Sequence, residues 1–301
     1  NAANADLSDA ILTGVKAAGV KLTSAKLIRA DIQNADLAGV DAVRADFSEA
    51  QMGNVKLRGA ILAEAVLIKA KVTSADLSHI EAPRADMTQG TLTKSSMAGA
   101  KLPSATLVGV NAASVDLTDC QVDLTDAVLT DVKAAGARLP GATLIKANAA
   151  NADLSDAILT GVKAAGVKLT SAKLIRADIQ NADLAGVDAV RADFSEAQMG
   201  NVKLRGAILA EAVLIKAKVT SADLSHIEAP RADMTQGTLT KSSMAGAKLP
   251  SATLVGVNAA SVDLTDCQVD LTDAVLTDVK AAGARLPGAT LIKANAANAD
   301  L

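Results

Sequence analysis

A five-residue period runs through this chain and limits the folds that it can adopt. From Ala5 onward the sequence divides without a gap into ADLSD, AILTG, VKAAG, VKLTS and further units, as far as VDLTD at 115–119. Five residues match neither the 3.6-residue turn of a helix nor the two-residue alternation of a strand. The period therefore predicts short extended segments separated by regular corners.

Each unit has an inward and an outward side. In extended chain Ala5 and Leu7 point one way and Asp6 points the other, which leaves Ser8 and Asp9 to turn a corner. We call the Leu7 position the centre, the Asp6 position the outward residue, and the last two positions the first and second corner residues. From 5 to 151 every centre, and every residue two before it, is small or apolar. This predicts a core into which no charge points.

Proline and glycine fall where corners are expected. Pro83, Pro103 and Pro140 each follow a centre, where a fixed φ near −65° suits the first corner residue. Most glycines occupy the second corner position, where their conformational freedom permits a tight turn. In the first long repeat these are Gly14, Gly19, Gly39, Gly59, Gly99, Gly109, Gly136 and Gly141.

The units match A(D/N)LXX, and over its whole length the chain resembles the pentapeptide-repeat family. That resemblance implies an all-β fold, a right-handed quadrilateral parallel β-helix with about 20 residues per coil. We expect short parallel strands at each unit centre. A left-handed three-sided helix would contradict this fold.

Charges provide separate support for a 20-residue coil. Outward residues 20 apart should stack on neighbouring coils, about 4.8 Å apart. A column of like charges would repel itself, whereas three columns here alternate in sign. They are Lys16, Asp36, Lys56 and Asp76; Asp6, Lys26 and Asp46; and Lys21 and Asp41.

Long repeats indicate one continuous solenoid over 1–301. Residues 1–147 recur letter for letter as 148–294, and 295–301 begin a third copy. There is no Trp or Tyr, and Phe47 and Phe194 are the only aromatic residues, as a narrow core of Leu and Ala requires. Because the sequence starts and stops on the same NAANADL heptad, we expect a window of a longer array.

One segment breaks the period. CQVDLTD at 120–126 is two residues longer than a unit. We interpret it as one lengthened side, and a two-residue bulge in a corner is the alternative with the same side count. Either way Arg138 should stack on Asp116 and Asp153 on Lys133. Each copy would then advance by seven coils and a quarter.

The sequence offers no constellation that suggests catalysis. His79 and His226 occupy second corner positions, and Cys120 and Cys267 take inward positions too far apart for a disulfide bond. No nucleotide-binding or metalloprotease motif is present. We therefore expect no enzyme, cofactor, metal or small-molecule substrate, and the absence of a long apolar run argues against membrane insertion.

Charge disfavours the best-known activity of the family. The resemblance raises the possibility of a DNA-mimicking protein that binds type II topoisomerases, like the quinolone-resistance members. Such mimicry needs a strongly acidic surface, whereas 30 Lys and Arg here nearly balance 33 Asp and Glu. Nucleic-acid binding is no better supported, since no basic stripe or aromatic platform exists.

A structural role remains: a fibre-forming protein or elongated spacer that associates end to end, with a designed repeat scaffold as the alternative. The location stays open, and an extracellular or cell-surface filament is the favoured setting. For lateral contacts the sequence offers a weak apolar stripe, against ordinary scattered surface apolarity. The stripe residues are Ile28, Val66, Ile68 and Val108.

Overall fold

Outward residues pair with their equivalents 20 positions along the chain. In the computed structural model Asp6 pairs in parallel with Lys26, and Lys26 pairs with Asp46. The next three outward residues, Ile11, Lys16 and Lys21, pair in the same way before the pattern returns to Lys26. Four sides therefore make one coil, which confirms the prediction made from the charges.

The structure describes residues 1–112, 132–259 and five single residues, Val115, Leu124, Ala127, Leu129 and Val262. The chain forms two units, Asn1–Asp153 and Leu154–Leu301. Each is a stack of four-sided coils, with pairs from Asp6↔Lys26 to Lys133↔Asp153 in the first and from Ile158↔Asp178 to Thr238↔Asn258 in the second. The prediction of one continuous solenoid stays a prediction.

The extended segments are short, as predicted. Within the described ranges the pairs are single-residue bridges, and the paired residue is the outward one, which directly precedes the centre. Two residues later the chain is already turning, because the amide of Ala10 donates to the Leu7 carbonyl at 3.1 Å. A five-residue unit that closes a turn leaves little room for a longer strand.

Backbone hydrogen bonds join each coil to the next at both the side and the corner. On the side, the Leu7 amide donates to the Lys26 carbonyl at 2.7 Å and the Lys26 amide to the Ala5 carbonyl at 2.9 Å. At the corner, the Asp9 amide donates to the Ile28 carbonyl at 2.9 Å. The backbone thus joins neighbouring coils whichever side chain occupies the outward position.

The second corner residue has a left-handed conformation whether or not it is glycine. Gly14 has φ +70°, and Asp9 and Arg29 have φ 60° and 57°. Glycine was therefore a correct marker of this position, but the position also holds charged residues at a conformational cost.

Inward side chains form the core as predicted. Ala25 and Leu27 are almost fully buried, and Phe47 occupies a centre in the same core. The described part of the chain has no buried side-chain nitrogen or oxygen atom without a hydrogen-bond partner. The core is thus a column of apolar side chains enclosed by a hydrogen-bonded backbone.

One buried hydroxyl replaces a backbone hydrogen bond. Ser95 takes an inward position and is 2% exposed. Its Oγ accepts from the Ala75 amide at 3.1 Å and donates to the Val72 carbonyl at 3.2 Å, so it bridges the turn of the neighbouring coil. Ser242 bridges Ala222 and Val219 in the same way.

The coil register steps by two residues where the sequence predicted it. Thr91 pairs with Asn111 in the usual register, whereas Asn111 pairs with Lys133, and Lys133 then pairs with Asp153. The Arg138 amide donates to the Val115 carbonyl at 3.1 Å, which is the bond expected if Arg138 stacks on Asp116. The lengthened coil is confirmed, while the choice between a longer side and a corner bulge lies outside the described residues.

Candidate interaction surface

The described residues do not bring together the groups that metal binding would need. Among them there is no set of three or more His, Cys, Asp or Glu side chains that could hold a metal ion. Cys120 and Cys267 lie outside the described residues. Nor does any helix in the described ranges have the length and apolar character to cross a membrane.

Both histidines lie at corners, over a glycine of the next coil. His79 is exposed, and a Cβ atom placed on Gly99 would collide with its imidazole ring. A Cβ atom on Gly246 would approach Nδ1 of His226 to 2.5 Å. The glycine therefore leaves space for the ring, and each histidine packs against the backbone of the next coil.

Outward aspartates hold the corner that follows them. Asp6 Oδ1 accepts from the Ser8 amide at 3.1 Å and from Ser8 Oγ at 2.6 Å. The Ser8 hydroxyl is the main cause of the lowered pKa of the Asp6 carboxyl. Asp46 binds Ser48 in the same way. This Asx-type contact explains why Asp or Asn follows Ala in A(D/N)LXX.

Close ion pairs join neighbouring coils at the corners. Arg29 binds Asp9 through two nitrogen–oxygen contacts of 2.7 and 2.6 Å, and Arg84 pairs with Glu64. The Arg29 guanidinium lowers the pKa of the Asp9 carboxyl, and Arg84 lowers that of Glu64. These pairs lie in corner columns, whereas the charge alternation in the sequence was recognised only in the outward columns. The same 20-residue comparison, applied at 9 and 29 and at 64 and 84, finds both pairs.

On a side of the coil, Lys101 forms a close ion pair with Glu81 at 3.1 Å, and Lys248 pairs with Glu228 at the same distance in the second unit. Lys101 and Glu81 lie on the side that also carries Lys21 and Asp41, where the sequence predicted alternating charges. All of these ion pairs connect residues of adjacent coils within one unit. These pairs therefore link neighbouring coils of the same stack.

The predicted apolar stripe lies along one corner and is half-buried. Ile28, Ile68 and Val108 are first corner residues, and Val66 is an outward residue on the adjoining side, between Asp46 and Asp86. Ile61 and Ile208 are more exposed, at 41% and 40%, and lie on another side. The role of the stripe in lateral contacts stays a prediction.

Residues of that corner alternate in a regular way from coil to coil. The first corner residue is small where the outward residue is Asp, and large and apolar where it is not. The second corner residues begin with alternating charges. We name this surface the alternating corner; it comprises residues 8–9, 28–29, 48–49, 68–69, 88–89 and 108–109, and in the second unit 155–156, 175–176, 195–196, 215–216, 235–236 and 255–256.

Four-sided coils of five-residue sides define a β-solenoid of the quadrilateral, right-handed class. The family model of pentapeptide repeats matches this chain with eight copies, and the residues matched are 25–62, 45–80, 123–161, 159–188, 192–227 and 270–301. The chain belongs to the pentapeptide repeat family. No match was found among curated proteins.

Solved structures of the same family are similar to the chain. HetL, involved in heterocyst differentiation regulation in the cyanobacterium Nostoc sp. strain PCC 7120, is 28% identical over 77% of this chain and 89% of its own, with a TM-score of 0.44. A pentapeptide repeat protein of the Arabidopsis thaliana thylakoid lumen is 31% identical over 31% of this chain and 65% of its own, with a TM-score of 0.22. The plasmid-mediated fluoroquinolone resistance protein QnrB1 is 15% identical over 65% of this chain and 91% of its own, with a TM-score of 0.28.

Proposed function

We propose that this chain is a non-enzymatic structural protein, a fibre-forming solenoid or elongated spacer. The observation that carries the proposal is that both the backbone and the charges of each coil are directed to its neighbours. The Asp9 amide bonds to the next coil, and the Asp9 carboxylate binds Arg29 of that same coil. In such a molecule the polar groups join one coil to the next, which is what growth by added coils requires.

End-to-end association follows from the same hydrogen bonds. An outermost coil of any β-solenoid presents amide and carbonyl groups like those that join Leu7 to Lys26, and such open edges invite further strand pairing. Mixed charge helps, because a net charge of −3 over 301 residues produces little repulsion between copies.

The alternative is a DNA-mimicking protein that binds a topoisomerase. Its support is the family membership, which includes a fluoroquinolone resistance protein. Arg29 and Arg84 argue against it, because each neutralises an acidic side chain at the surface where a mimic would display negative charge. The spacer or filament is therefore the function that we propose.

Electron microscopy of the purified full chain tests the proposal. We expect long thin fibres with a repeat near the 4.8 Å spacing of paired strands. As a matched pair, Lys56→Ala with Lys203→Ala should still assemble, whereas Leu57→Asp with Leu204→Asp should not, because it places a charge in the core. Short monodisperse particles under all conditions would refute the filament.

A further inference from the structure

The alternating corner consists of two kinds of coil that follow one another. In one kind the outward residue is Asp and the first corner residue is Ser or Thr, as in Asp6 with Ser8 and Asp46 with Ser48. In the other kind the first corner residue is Ile or Val, as in Ile28 and Ile68. Large and small side chains therefore alternate along the corner, at about 4.8 Å per coil.

The small residues of the alternating corner already have hydrogen-bond partners. Ser8 and Ser48 donate their hydroxyls to Asp6 and Asp46 at 2.6 Å, and Thr88 donates to Asp86 at the same distance. A neighbouring apolar side chain can therefore pack beside them without leaving a hydroxyl unpaired. The small positions act as hollows between the half-buried Ile28, Ile68 and Val108.

Charges alternate along the same corner. The second corner residues Asp9, Arg29, Glu49 and Lys69 are exposed and change sign at each coil. A two-fold axis midway between two adjacent coils, perpendicular to the coil axis, reverses the order of coils in the second copy. Each residue of an alternating column then faces the other kind of residue from the same column of the second copy. Positive side chains therefore face negative ones, and large side chains face small ones.

From this geometry we propose that the alternating corner binds a second copy of this chain, side by side and antiparallel, about a two-fold axis between the coils of Arg29 and Glu49. Arg29 then faces Glu49 of the other copy, and Asp9 faces Lys69. On the apolar side of the corner Ile28 packs beside Ser48, and Ile68 beside Ser8. On the adjoining side Lys26 faces Asp46.

Two of the other three corners of the first unit have no such pattern in their described residues. Gly19, Gly39 and Gly59 occupy one second corner column, which continues with His79 and Gly99 and has no alternating charge. At another corner the second corner residues include Asn34 and Asn54, which bond to each other at 3.1 Å and carry no charge.

The remaining corner has alternating charges, Arg44, Glu64 and Arg84, but no sustained alternation of size, since two prolines, Pro83 and Pro103, follow one another at its first corner positions. Size and charge thus alternate together at the alternating corner and not at the other three, over residues 1–112. This singles it out as the surface that is self-complementary. The inference rests on the proposed structural role, since it specifies how copies would bundle.

Cysteine cross-linking tests the register of the pair. In chains whose native Cys120 and Cys267 are replaced by Ser, one preparation carries Ile28→Cys with Ile175→Cys, and the other carries Ser48→Cys with Ser195→Cys. Disulfides need Cα atoms within about 7 Å. We expect cross-linked dimers when the two preparations are mixed under mild oxidation. Dimers of equal yield in each preparation alone would indicate a parallel pair and overturn the proposal, as would no dimers at all.

Sedimentation of the full chain tests the packing. Ile28→Ser with Ile175→Ser should weaken side-by-side association about tenfold or more, as loss of a central contact does. The exchanged variant, which adds Ser48→Ile and Ser195→Ile, should recover it because large again faces small. Ile61→Ser with Ile208→Ser is the matched control, and an equal loss in the control would overturn the proposal.

Microscopy separates this inference from the proposed function. Single fibres that never pair, together with absent cross-links, would reject the antiparallel contact and leave the filament standing. Cross-linked antiparallel pairs of short particles would support the contact and reject the filament.

Discussion

At the scale of single residues, the second corner position sets the conformational demand of the fold. Gly59 has φ +67° and open space around the point where a Cβ atom would lie. Arg29, at the equivalent position of another column, has φ 57° and forms an ion pair with Asp9. Glycine lowers the strain at this position, whereas a charged residue accepts strain and gains a contact to the next coil.

The glycines at second corners should therefore differ in their tolerance of alanine. Gly59→Ala should cost about 1 kcal/mol of unfolding free energy, from its left-handed conformation alone. Gly99→Ala should cost more, because the new methyl group collides with the His79 ring. Chemical denaturation of the two variants measures the difference.

A double-mutant cycle identifies the cause of that difference. In a His79→Ala background the cost of Gly99→Ala should fall to that of Gly59→Ala, since the ring is gone. An unchanged cost in that background would show that the imidazole does not lie over Gly99.

The hydroxyl of Ser95 leads to a second prediction at this scale. Ser95→Ala should change the unfolding free energy by less than about 1 kcal/mol, because the freed Ala75 amide and Val72 carbonyl can form the turn bond found in other units. In the equivalent bond elsewhere, the Ala70 amide donates to the Leu67 carbonyl at 3.1 Å.

The matched variant is Ser95→Val, which also lacks the hydroxyl but brings an extra methyl group into the turn. It should cost about 1–3 kcal/mol through overpacking. Thermal unfolding compares the two, and exchange of the Ala75 amide reports whether the turn has closed. A large loss of stability in Ser95→Ala would contradict the account.

At the scale of the coil, the sequence predicted the architecture because each position has one dominant role. Ala5, Asp6 and Leu7 differ in polarity in the order that an extended chain requires, and 20-residue comparisons then gave the number of sides. The two-residue step near 120–126 was visible for the same reason. A regular pattern makes its own interruptions easy to locate.

Other features of the coil depend on contacts that a linear period does not display. That Arg29 reaches Asp9 is decided by the left-handed corner, which directs both side chains along the coil axis. Ser95 looks like a small inward residue in the sequence, and only the neighbouring turn at Val72 shows that its hydroxyl is used. The limit on strand length is a further example, because the turn begins directly after each centre and leaves single-residue bridges.

An inward and an outward substitution in one coil should differ greatly in their cost to stability. Leu57 is fully buried, so Leu57→Asp should cost several kcal/mol by leaving a charge without a partner in the core. Lys56 is exposed, and Lys56→Ala should cost well under 1 kcal/mol. Urea denaturation measures both, and similar effects would mean that the inward and outward assignments are wrong.

The stability of the coil should also depend on pH. Folding lowers the pKa values of Asp6, Asp9 and Glu64, which are 3.8, 3.8 and 4.5 for the free side chains. Their stabilising contribution is therefore complete above those values and is lost as pH falls through the lower folded pKa values. We expect the melting temperature to decrease below about pH 4.

The matched variant for the pH dependence is Arg29→Gln with Arg176→Gln. It removes the partner that lowers the pKa of Asp9 and of Asp156, so its melting temperature should depend less on acid. Melting curves between neutral and acidic pH compare the two proteins. A variant that loses stability in acid as steeply as the original would show that these ion pairs do not contribute.

At the scale of the whole molecule, the repeated sequence gives many coils the same pairing of residues. The pairs of the first unit recur in the second, where Lys163 pairs with Asp183 as Lys16 does with Asp36. Stability in such a stack is spread along it, because each coil contacts only its neighbours. This even distribution suits a spacer or a fibre better than a protein that must shape one binding site.

The central claim is that 20 residues advance the chain by one coil along a straight column, and distances between spin labels test it most directly. With one label at Lys16 and the other at Asp76 or Ser96, the account predicts separations of about 14 Å and about 19 Å, for three and four coils. The step of about 5 Å per 20 residues is the decisive quantity. Distances that do not follow this step, as in a three-sided coil of about 18 residues, would contradict the account.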